Sequence, residues 1–350
     1  MSPSQLSGKV QTVLGPIAPD DLGVTLTHEH LLIHFKPLFA EPAEASRKGL
    51  SMSPVTIDDL GWIRANWANN YENLVLYDEE TAIEEISRYY RAGGQSLVEA
   101  SNNGIGRDPL ALARISRATG LNIVMGSGYY VESFQPPDWR NKSEDSMVEE
   151  IVRDVEEGVG DTGIRSGIIG EIGCSWPWTE AEKRSVRAGA RAQRETGAPL
   201  LIHPGRNPSA PGQIIEVIAG AGGDVSRTIM SHIDRTITDF ETVKALAESG
   251  CYIEYDLFGL EATFYPLAPI EMPNDGQRVD FIIRLIEAGH LGQIVVSHDT
   301  AWKTRLVRYG GHGYAHLIES VVPVMRNKGM SQGQIDTIFV ENPKRILAFT

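Results

Sequence analysis

The chain has 350 residues, 41% of them hydrophobic, and a formal net charge of −14 at pH 7. This length suffices for a sizeable core in one large domain or two ordinary ones. The acidic charge argues against nucleic acid or an anionic membrane as a partner. Two cysteines, Cys174 and Cys251, are too few for a disulfide scaffold. The N-terminus lacks a basic segment followed by an apolar stretch, and no apolar run approaches the ~18 residues of a membrane span, so we expect a cytoplasmic protein.

Short apolar runs rich in Val, Ile and Leu recur along the chain. They are too continuous for half-exposed antiparallel strands and suit strands that are buried on both faces. Eight such runs are predicted as strands, at residues 24–27, 96–100, 122–126, 167–170, 199–202, 228–231, 252–255 and 293–297.

Helical patterns alternate with these runs and predict helices at residues 78–92, 109–119, 146–159, 180–196, 212–219, 239–249 and 278–288, with two closing helices at 312–328 and 331–348. Eight strand–helix alternations favour an α/β fold with one (β/α)8 TIM barrel over residues 1–350. A doubly wound open sheet is the structural alternative. It is weakened because no Gly-x-Gly-x-x-Gly follows the first strand.

Two segments fall outside the repeating pattern. Residues 8–23 are predicted as a strand or hairpin that covers one end of the barrel. Residues 34–77 form the longest stretch without a predicted strand and are rich in Pro, Asn, Trp and acidic residues. A loop of this length in a compact domain is usually functional, so we interpret it as a lid-like insertion over the site.

Side chains that bind metals follow one predicted strand after another. His28 and His30 end the first strand, where a spacing of two residues directs both imidazoles to the same side. Further candidates at predicted strand ends are Glu171, His203, His232 and Asp299. The C-terminal ends of barrel strands open on one face, so we expect these six side chains to converge. Six ligands exceed the needs of one tetrahedral zinc and suit two divalent ions, with the Glu171 carboxylate as the candidate bridge.

Such a centre predicts a hydrolytic reaction. Two divalent ions with four imidazoles and two carboxylates keep net positive charge, which lowers the pKa of a trapped water. Asp299 can bind one ion and accept the proton of that water, which makes Asp299 and Glu171 the candidate catalytic residues. A barrel that binds zinc only as an interaction module is the alternative from another functional class. His298 is expected to have a supporting role, and Glu29 is expected to be a bystander that points away from the metals.

Several segments together resemble a known family. These segments are Thr27-His28-Glu29-His30, Gly170-Glu171-Ile172-Gly173, Ile202-His203-Pro204-Gly205-Arg206, Ser231-His232-Ile233-Asp234-Arg235 and Ser297-His298-Asp299. They resemble the phosphotriesterase-like branch of the amidohydrolase superfamily. The similarity extends from Gly8 to Phe349. The resemblance implies a binuclear centre, usually of zinc. It implies that one ion is bound by His28, His30 and Asp299, that the other is bound by His203 and His232, and that Glu171 lies between them. A homodimer is expected from the resemblance alone.

Glu171 separates this chain from the bacterial phosphotriesterases and lactonases, which bridge their metals with a carboxylated lysine. Residues 169–177 and 305–314 are similar to the animal phosphotriesterase-related proteins. That similarity implies cleavage of the amide bond of N-acetyltaurine and related small N-acyl taurines or N-acyl amino acids by a metal-bridging hydroxide. A lactonase or phosphotriesterase-type esterase with the same centre is the alternative. Lactonases that this chain resembles tend to have an arginine in the region of the seventh strand, whereas residues 255–259 contain none, so the resemblance disfavours a lactonase.

A substrate of this kind carries an anionic tail, for which a guanidinium group is a natural partner. Basic residues just beyond predicted strand ends are Arg206, Arg235, Lys303 and Arg305. For each of them, a salt bridge on the rim of the barrel is the alternative role. Candidate pocket walls are Asn102, Tyr129, Tyr130 and Trp302.

Overall fold

The computed structural model describes residues 6–261, 265 and 267–350, and within them eight parallel strands form one sheet in chain order. These strands are β1 (Thr25–Glu29), β2 (Ser96–Glu99), β3 (Asn122–Ser127), β4 (Ile168–Gly173), β5 (Leu200–His203), β6 (Thr228–Met230), β7 (Tyr252–Tyr255) and β8 (Ile294–Val296). The last strand lies beside the first, because Thr27 Oγ1 donates to the Val296 carbonyl at 3.3 Å and the Asp299 N–H donates to the His28 carbonyl at 3.2 Å. The sheet therefore curls into a nearly closed barrel, and the predicted TIM barrel is confirmed.

A helix follows each barrel strand. These helices are α1 (Glu79–Arg91), α2 (Pro109–Thr119), α3 (Glu144–Glu156), α4 (Glu180–Thr196), α5 (Ala210–Gly220), α6 (Phe240–Glu248), α7 (Asp275–Glu287) and α8 (317–327), and a final helix α9 spans 332–347. The last two each contain a π-helical turn, at Leu317–Val321 and Thr337–Glu341. The start of α3 was predicted two residues too late, because Ser143 caps it by accepting a hydrogen bond from the Ser146 N–H at 3.2 Å.

The fourth strand differs from its prediction in a way that matters for the site. The apolar run predicted an end at Gly170, but β4 continues to Gly173 and contains Glu171. Its register against β5 shifts between Ile169 and Ile172. Gly170 permits this close approach, since a Cβ there would lie 2.1 Å from the Leu201 carbonyl oxygen, and its φ is +128°. A short helix not predicted from the sequence, Ile233–Thr236, follows β6.

Two small antiparallel pairs lie outside the barrel. Val10–Thr12 pairs with Gly15–Ile17 in an N-terminal hairpin, and Ile33–His34 pairs with Val75–Leu76 at the two ends of the long insertion. Between the members of the second pair lie short 3-10 helices and the helix Leu60–Ala65. The insertion packs on the segment that follows β8: the Trp67 and Trp302 rings stack with centroids 4.4 Å apart.

A compact apolar layer supports the site from inside the barrel. It contains Val98, Val124, Ile168, Leu201, Ile229 and Val295, one residue from each of six strands, and Val10 of the hairpin packs on it. Leu201 precedes His203 by two residues and Val295 precedes Asp299 by four, so strand alternation places this layer beneath the candidate ligands. Over the described part of the chain, every helix is too short or too polar to cross a membrane.

Candidate metal centre

The six predicted ligands meet at the C-terminal ends of the barrel strands, with Glu171 among the four histidines. Its Oε1 lies 3.3 Å from His30 Nε2, and its Oε2 lies 3.6 Å from His28 Nε2. The same Oε2 is 2.7 Å from His203 Nδ1 and 3.5 Å from His232 Nε2. Asp299 Oδ1 lies 3.2 Å from His30 Nε2 and 3.9 Å from His28 Nε2. The Asp299 side chain is 16% exposed, more than any of the other five, so it faces the entrance.

The donor atoms suit divalent cations. His28 Nε2 and His30 Nε2 are fully buried, and although carboxylate oxygens lie 3.2–3.9 Å away, neither nitrogen makes a well-aligned hydrogen bond among the described residues, which is costly for polar atoms. One possible ligand set is His28, His30 and Asp299, and a second is His28, Glu171 and His232; within each set the ligand atoms lie within 4.8 Å of one another. His203 Nδ1 lies 2.9 Å from His232 Nε2, beside the second set. The buried donors around Glu171 therefore offer two overlapping sets that could each hold a divalent ion.

The Nδ1 atoms of His28, His30 and His232 contact polar side chains on the side of the cluster away from Glu171. Asp256 Oδ1 lies 2.9 Å from His232 Nδ1, and Asp256 Oδ2 lies 3.1 Å from His28 Nδ1. Ser101 Oγ lies 2.9 Å from His30 Nδ1. These contacts direct the three Nε2 atoms toward the centre, as outer carboxylates and hydroxyls do for metal-binding histidines.

Sequence reasoning missed these supporting groups. Asp256 follows β7 directly, and Glu254 lies within that strand, 3.3 Å from His28 Nδ1 and 2.8 Å from Ser231 Oγ. The available signal was a carboxylate inside an otherwise apolar buried strand, since a buried charge needs a partner. Residues 255–259 were considered only because they contain no arginine, and Asp256 was not recognised as a supporting group.

Two candidate ligands have left-handed backbone. The φ angle is +55° at His232 and +50° at Asp299. Side chains other than glycine rarely adopt this region, and such strained residues cluster at functional sites. Both carboxylate oxygens of Asp256 accept from the His232 N–H at 3.1 Å, which holds that strained turn.

The charges in the cluster are strongly perturbed. Burial opposes ionisation of Glu171, but His28 and His203 hold its pKa well below the usual range. Burial lowers the pKa of His203 to about 3, so this ring is neutral at pH 7. Burial also acts to lower the pKa of His30, but Asp299 and Glu171 raise it to about 9. A cation bound to His30 would compete with a proton for this ring nitrogen.

Four of the predicted substrate contacts lie near the centre. Tyr130 Oη and Arg235 Nη2 lie 3.4 Å and 3.2 Å from His203 Nε2. Arg206 shares with Tyr130 and His203 a cavity of about 350 Å³. Asn102 is buried, and its Nδ2 donates to the backbone carbonyl of Glu171 at 2.5 Å.

The other predicted contacts have different surroundings. Lys303 forms an ion pair with Glu72 and lines a separate cavity of about 470 Å³. Trp302 is stacked on Trp67. Arg305 Nη2 donates to the carbonyls of His298 and Phe258, at 2.6 and 2.9 Å. The Tyr129 ring lies under the Lys142 ammonium in a third cavity.

A family model described as Phosphotriesterase family matches residues 8–347. N-acetyltaurine hydrolases from Xenopus tropicalis and Tetraodon nigroviridis are 46% and 45% identical to this chain over 348 residues, which cover 99% of this chain and 99% of each relative. A solved structure of a resiniferatoxin-binding protein from Rhodobacter sphaeroides superposes with a TM-score of 0.95 at 36% identity, covering 99% of this chain and 98% of that chain. These matches confirm the resemblance predicted from the sequence, and the chain belongs to the phosphotriesterase family of metal-dependent hydrolases.

Proposed function

We propose that this protein hydrolyses the amide bond of N-acetyltaurine and related small N-acyl taurines or N-acyl amino acids at a binuclear metal centre. The observation that carries this proposal is the pair of buried, unpartnered Nε2 atoms of His28 and His30, which face the carboxylates of Glu171 and Asp299. Enzymes of this family use a binuclear divalent metal centre. We assign one ion to His28, His30 and Asp299, the other to His203 and His232, and the bridge to Glu171.

The proposed chemistry divides between the metals and the protein. When bound, two divalent ions would lower the pKa of a water and polarise the carbonyl of the substrate. Burial acts to raise the pKa of Asp299, but a contact with His30 outweighs it and lowers this pKa. The Asp299 carboxylate is therefore ionised at neutral pH and can accept a proton. Because it is the most exposed of the six side chains, Asp299 can also return that proton to the departing amine. An amine is a poor leaving group without this protonation.

The substrate is inferred from the relatives. Proteins that match nearly the whole chain at 44–46% identity bear the name N-acetyltaurine hydrolase. A lactonase or phosphotriesterase-type esterase is the less favoured alternative. Zinc as the metal, a cytoplasmic location and a homodimer stay predictions.

We also propose that residues 34–77 act as a lid that excludes water from the site. Phe35 from this insertion lies against Tyr130, with ring centroids 6.0 Å apart, and Phe134 packs on both rings. The same insertion contacts the segment after β8 through Trp67 and through Asn73 Oδ1, which accepts from the Thr304 N–H at 2.9 Å. The insertion therefore touches both the cavity wall and the chain that carries Asp299.

A substrate panel tests the proposal. Metal-loaded protein is assayed with N-acetyltaurine, N-acetyl amino acids, several lactones and an aryl phosphotriester. We expect the highest kcat/KM for an N-acetyl compound with an anionic tail. High turnover of a lactone or phosphotriester with no amide cleavage would overturn the assignment in favour of the alternative.

A further inference from the structure

Resting on the function proposed above, we infer that Arg206, backed by Arg235, binds the anionic end of the substrate. Both guanidinium groups follow barrel strands whose histidines belong to the candidate metal centre: Arg206 lies three residues after His203, and Arg235 lies three residues after His232. The site would thus have a hydrolytic half at the metals and an anion-binding half beside it.

The first support is that neither guanidinium has a counter-ion. Throughout the described residues, no carboxylate lies within 4.0 Å of Arg206 or Arg235, although Arg235 is only 3% exposed. Burial and the neighbouring charge of Arg206 both lower the pKa of Arg235. Two neighbouring cations without a paired carboxylate are costly to bury, and an anion bound at Arg206 would offset that cost.

The second support is the set of hydrogen bonds that the two guanidinium groups make within the described part of the chain. Arg206 uses Nε to donate to Tyr265 Oη at 2.9 Å, and among the residues that the structure describes no hydrogen bond engages its two terminal nitrogens. Arg235 has no charged partner: its Nη2 lies 3.2 Å from His203 Nε2 and 3.3 Å from the Pro204 carbonyl, and its Nη1 lies 3.3 Å from Thr236 Oγ1. A planar fork of donors of this kind suits the oxygens of a sulfonate or a carboxylate.

The third support is the composition of the cavity that Arg206 shares with His203. Its described lining has no acidic side chain and includes apolar groups such as Leu38, Phe134 and Pro269. Within a chain of net charge −14, a cavity with an unpaired guanidinium and no carboxylate is a local site for an anion. Of the other basic candidates, Lys303 is paired with Glu72, and Arg305 donates from Nη2 to two backbone carbonyls; neither lines this cavity.

The inference predicts where a substrate lies. The amide carbonyl would lie among His30, Glu171 and Asp299, and the tail would extend past His203 toward Arg206. Tyr130 Oη, 3.4 Å from His203 Nε2, would flank the short linker between the two halves. A neutral amide would occupy the first half and leave Arg206 without a partner.

The experiment compares Arg206→Met and Arg206→Lys with the parent protein in metal-loaded form. Two substrates are used: N-acetyltaurine, and N-ethylacetamide, which has the same amide without the sulfonate. The dissociation constant of ethanesulfonate, the tail without the amide, is measured by calorimetry. Arg117→Met is the matched control, because it removes one positive charge from the exposed surface of α2.

We expect Arg206→Met to lower kcat/KM for N-acetyltaurine by roughly 10- to 100-fold, mostly through KM, and to weaken ethanesulfonate binding by a similar factor. Arg206→Lys should fall between the parent and Arg206→Met, and Arg117→Met should match the parent. The effect on N-ethylacetamide should stay within about threefold. Unchanged ethanesulfonate binding, or an equal loss on both amides, would overturn the inference.

The outcome separates this inference from the proposed function. If the parent protein cleaves no N-acyl anion but binds ethanesulfonate through Arg206, the substrate assignment fails and the anion site stands. If it cleaves N-acetyltaurine and Arg206→Met leaves KM and ethanesulfonate binding unchanged, the function stands and the anion site fails.

Discussion

Glu29 Oε1 accepts a hydrogen bond from His298 Nδ1 at 2.6 Å and thereby joins the first barrel strand to the segment that carries Asp299. The tautomer of His298 is fixed, because its Nε2 accepts from the Leu317 N–H at 3.0 Å. Glu29 also accepts from Ser297 Oγ at 2.8 Å, from the His298 N–H at 2.9 Å and from the Thr300 N–H at 3.1 Å. Glu29, between the candidate ligands His28 and His30, was expected to be a bystander, but it holds the segment around the candidate ligand Asp299 in position.

Replacing Glu29 with Gln should therefore destabilise the protein and impair catalysis. The amide keeps the size but loses one acceptor oxygen, so buried donors at residues 297–300 are left without partners. We expect a loss of about 2–4 kcal/mol in the free energy of unfolding and roughly 10- to 100-fold in kcat. Urea unfolding and steady-state kinetics measure both. Glu84→Gln, at a 64% exposed side chain paired with Arg308, is the control and should change stability by less than about 0.5 kcal/mol. An equally small change in Glu29→Gln would refute this role.

Asp256→Asn should weaken metal binding more than it alters the protein's affinity for substrate. Asp256 holds His28 and His232 from behind, and Asn has one acceptor where Asp has two. We expect the metal dissociation constant to rise roughly 10- to 100-fold, with KM at saturating metal nearly unchanged. Competition with a fluorescent chelator measures the constant. Asp239→Asn, at the exposed N-cap of α6, serves as the control. Parental metal affinity in Asp256→Asn would show that these contacts do not support the ligands.

Asp299→Asn should remove the proton acceptor while the fold remains. Loss of a general base typically costs about 10²- to 10⁴-fold in rate, so kcat should fall within that range. Bound metal is quantified in the same preparation, because Asp299 is also a proposed ligand. A variant that retains two ions per chain and near-parental kcat would exclude Asp299 as the base.

The pH dependence of the free energy of unfolding should reveal how much the ionised carboxylate of Asp275 stabilises the protein. Its carboxylate accepts from His316 Nε2 at 2.6 Å, from the Gly259 N–H at 2.8 Å and from Arg278 Nη1 at 2.9 Å. Burial acts against the charged form, but these contacts lower the pKa of Asp275 to about 2. The folded-state pKa is depressed, so the stabilisation is present above the unfolded pKa near 4 and is lost as pH falls toward 2.

Asp275→Asn should consequently cost about 2 kcal/mol at pH 7, and the difference from the parent should shrink as pH falls from about 5 to 3. Urea unfolding of both proteins across this range measures the difference. A difference that does not change with pH would mean that the carboxylate's charge is not what stabilises this contact.

The convergence of the six candidate ligands could be predicted from the sequence because it depends on local rules. His28 and His30 share a strand face at a spacing of two residues, and His203 and Asp299 come at or just after strands recognisable from their apolar runs. Parallel topology then brings such ends to one face of the barrel. No contact needed to be known in advance.

Other features depend on contacts between distant segments and could not be predicted. The shift in register that includes Glu171 within β4 depends on Gly170 packing against Leu201. The pairing of Lys303 with Glu72 joins residues 231 positions apart, and spacing along the chain gives no sign of it. Arg206 and Arg235 stood out from the other basic residues only when the partners of each were known.

Metal content measured against activity tests the central claim most directly. Chelator-stripped protein is titrated with zinc or manganese, and bound metal per chain is determined by mass spectrometry alongside N-acetyltaurine hydrolysis. The binuclear assignment predicts that the stripped protein is inactive and that activity reaches its maximum at two ions per chain. Full activity with no metal, or a maximum at one ion per chain, would contradict it.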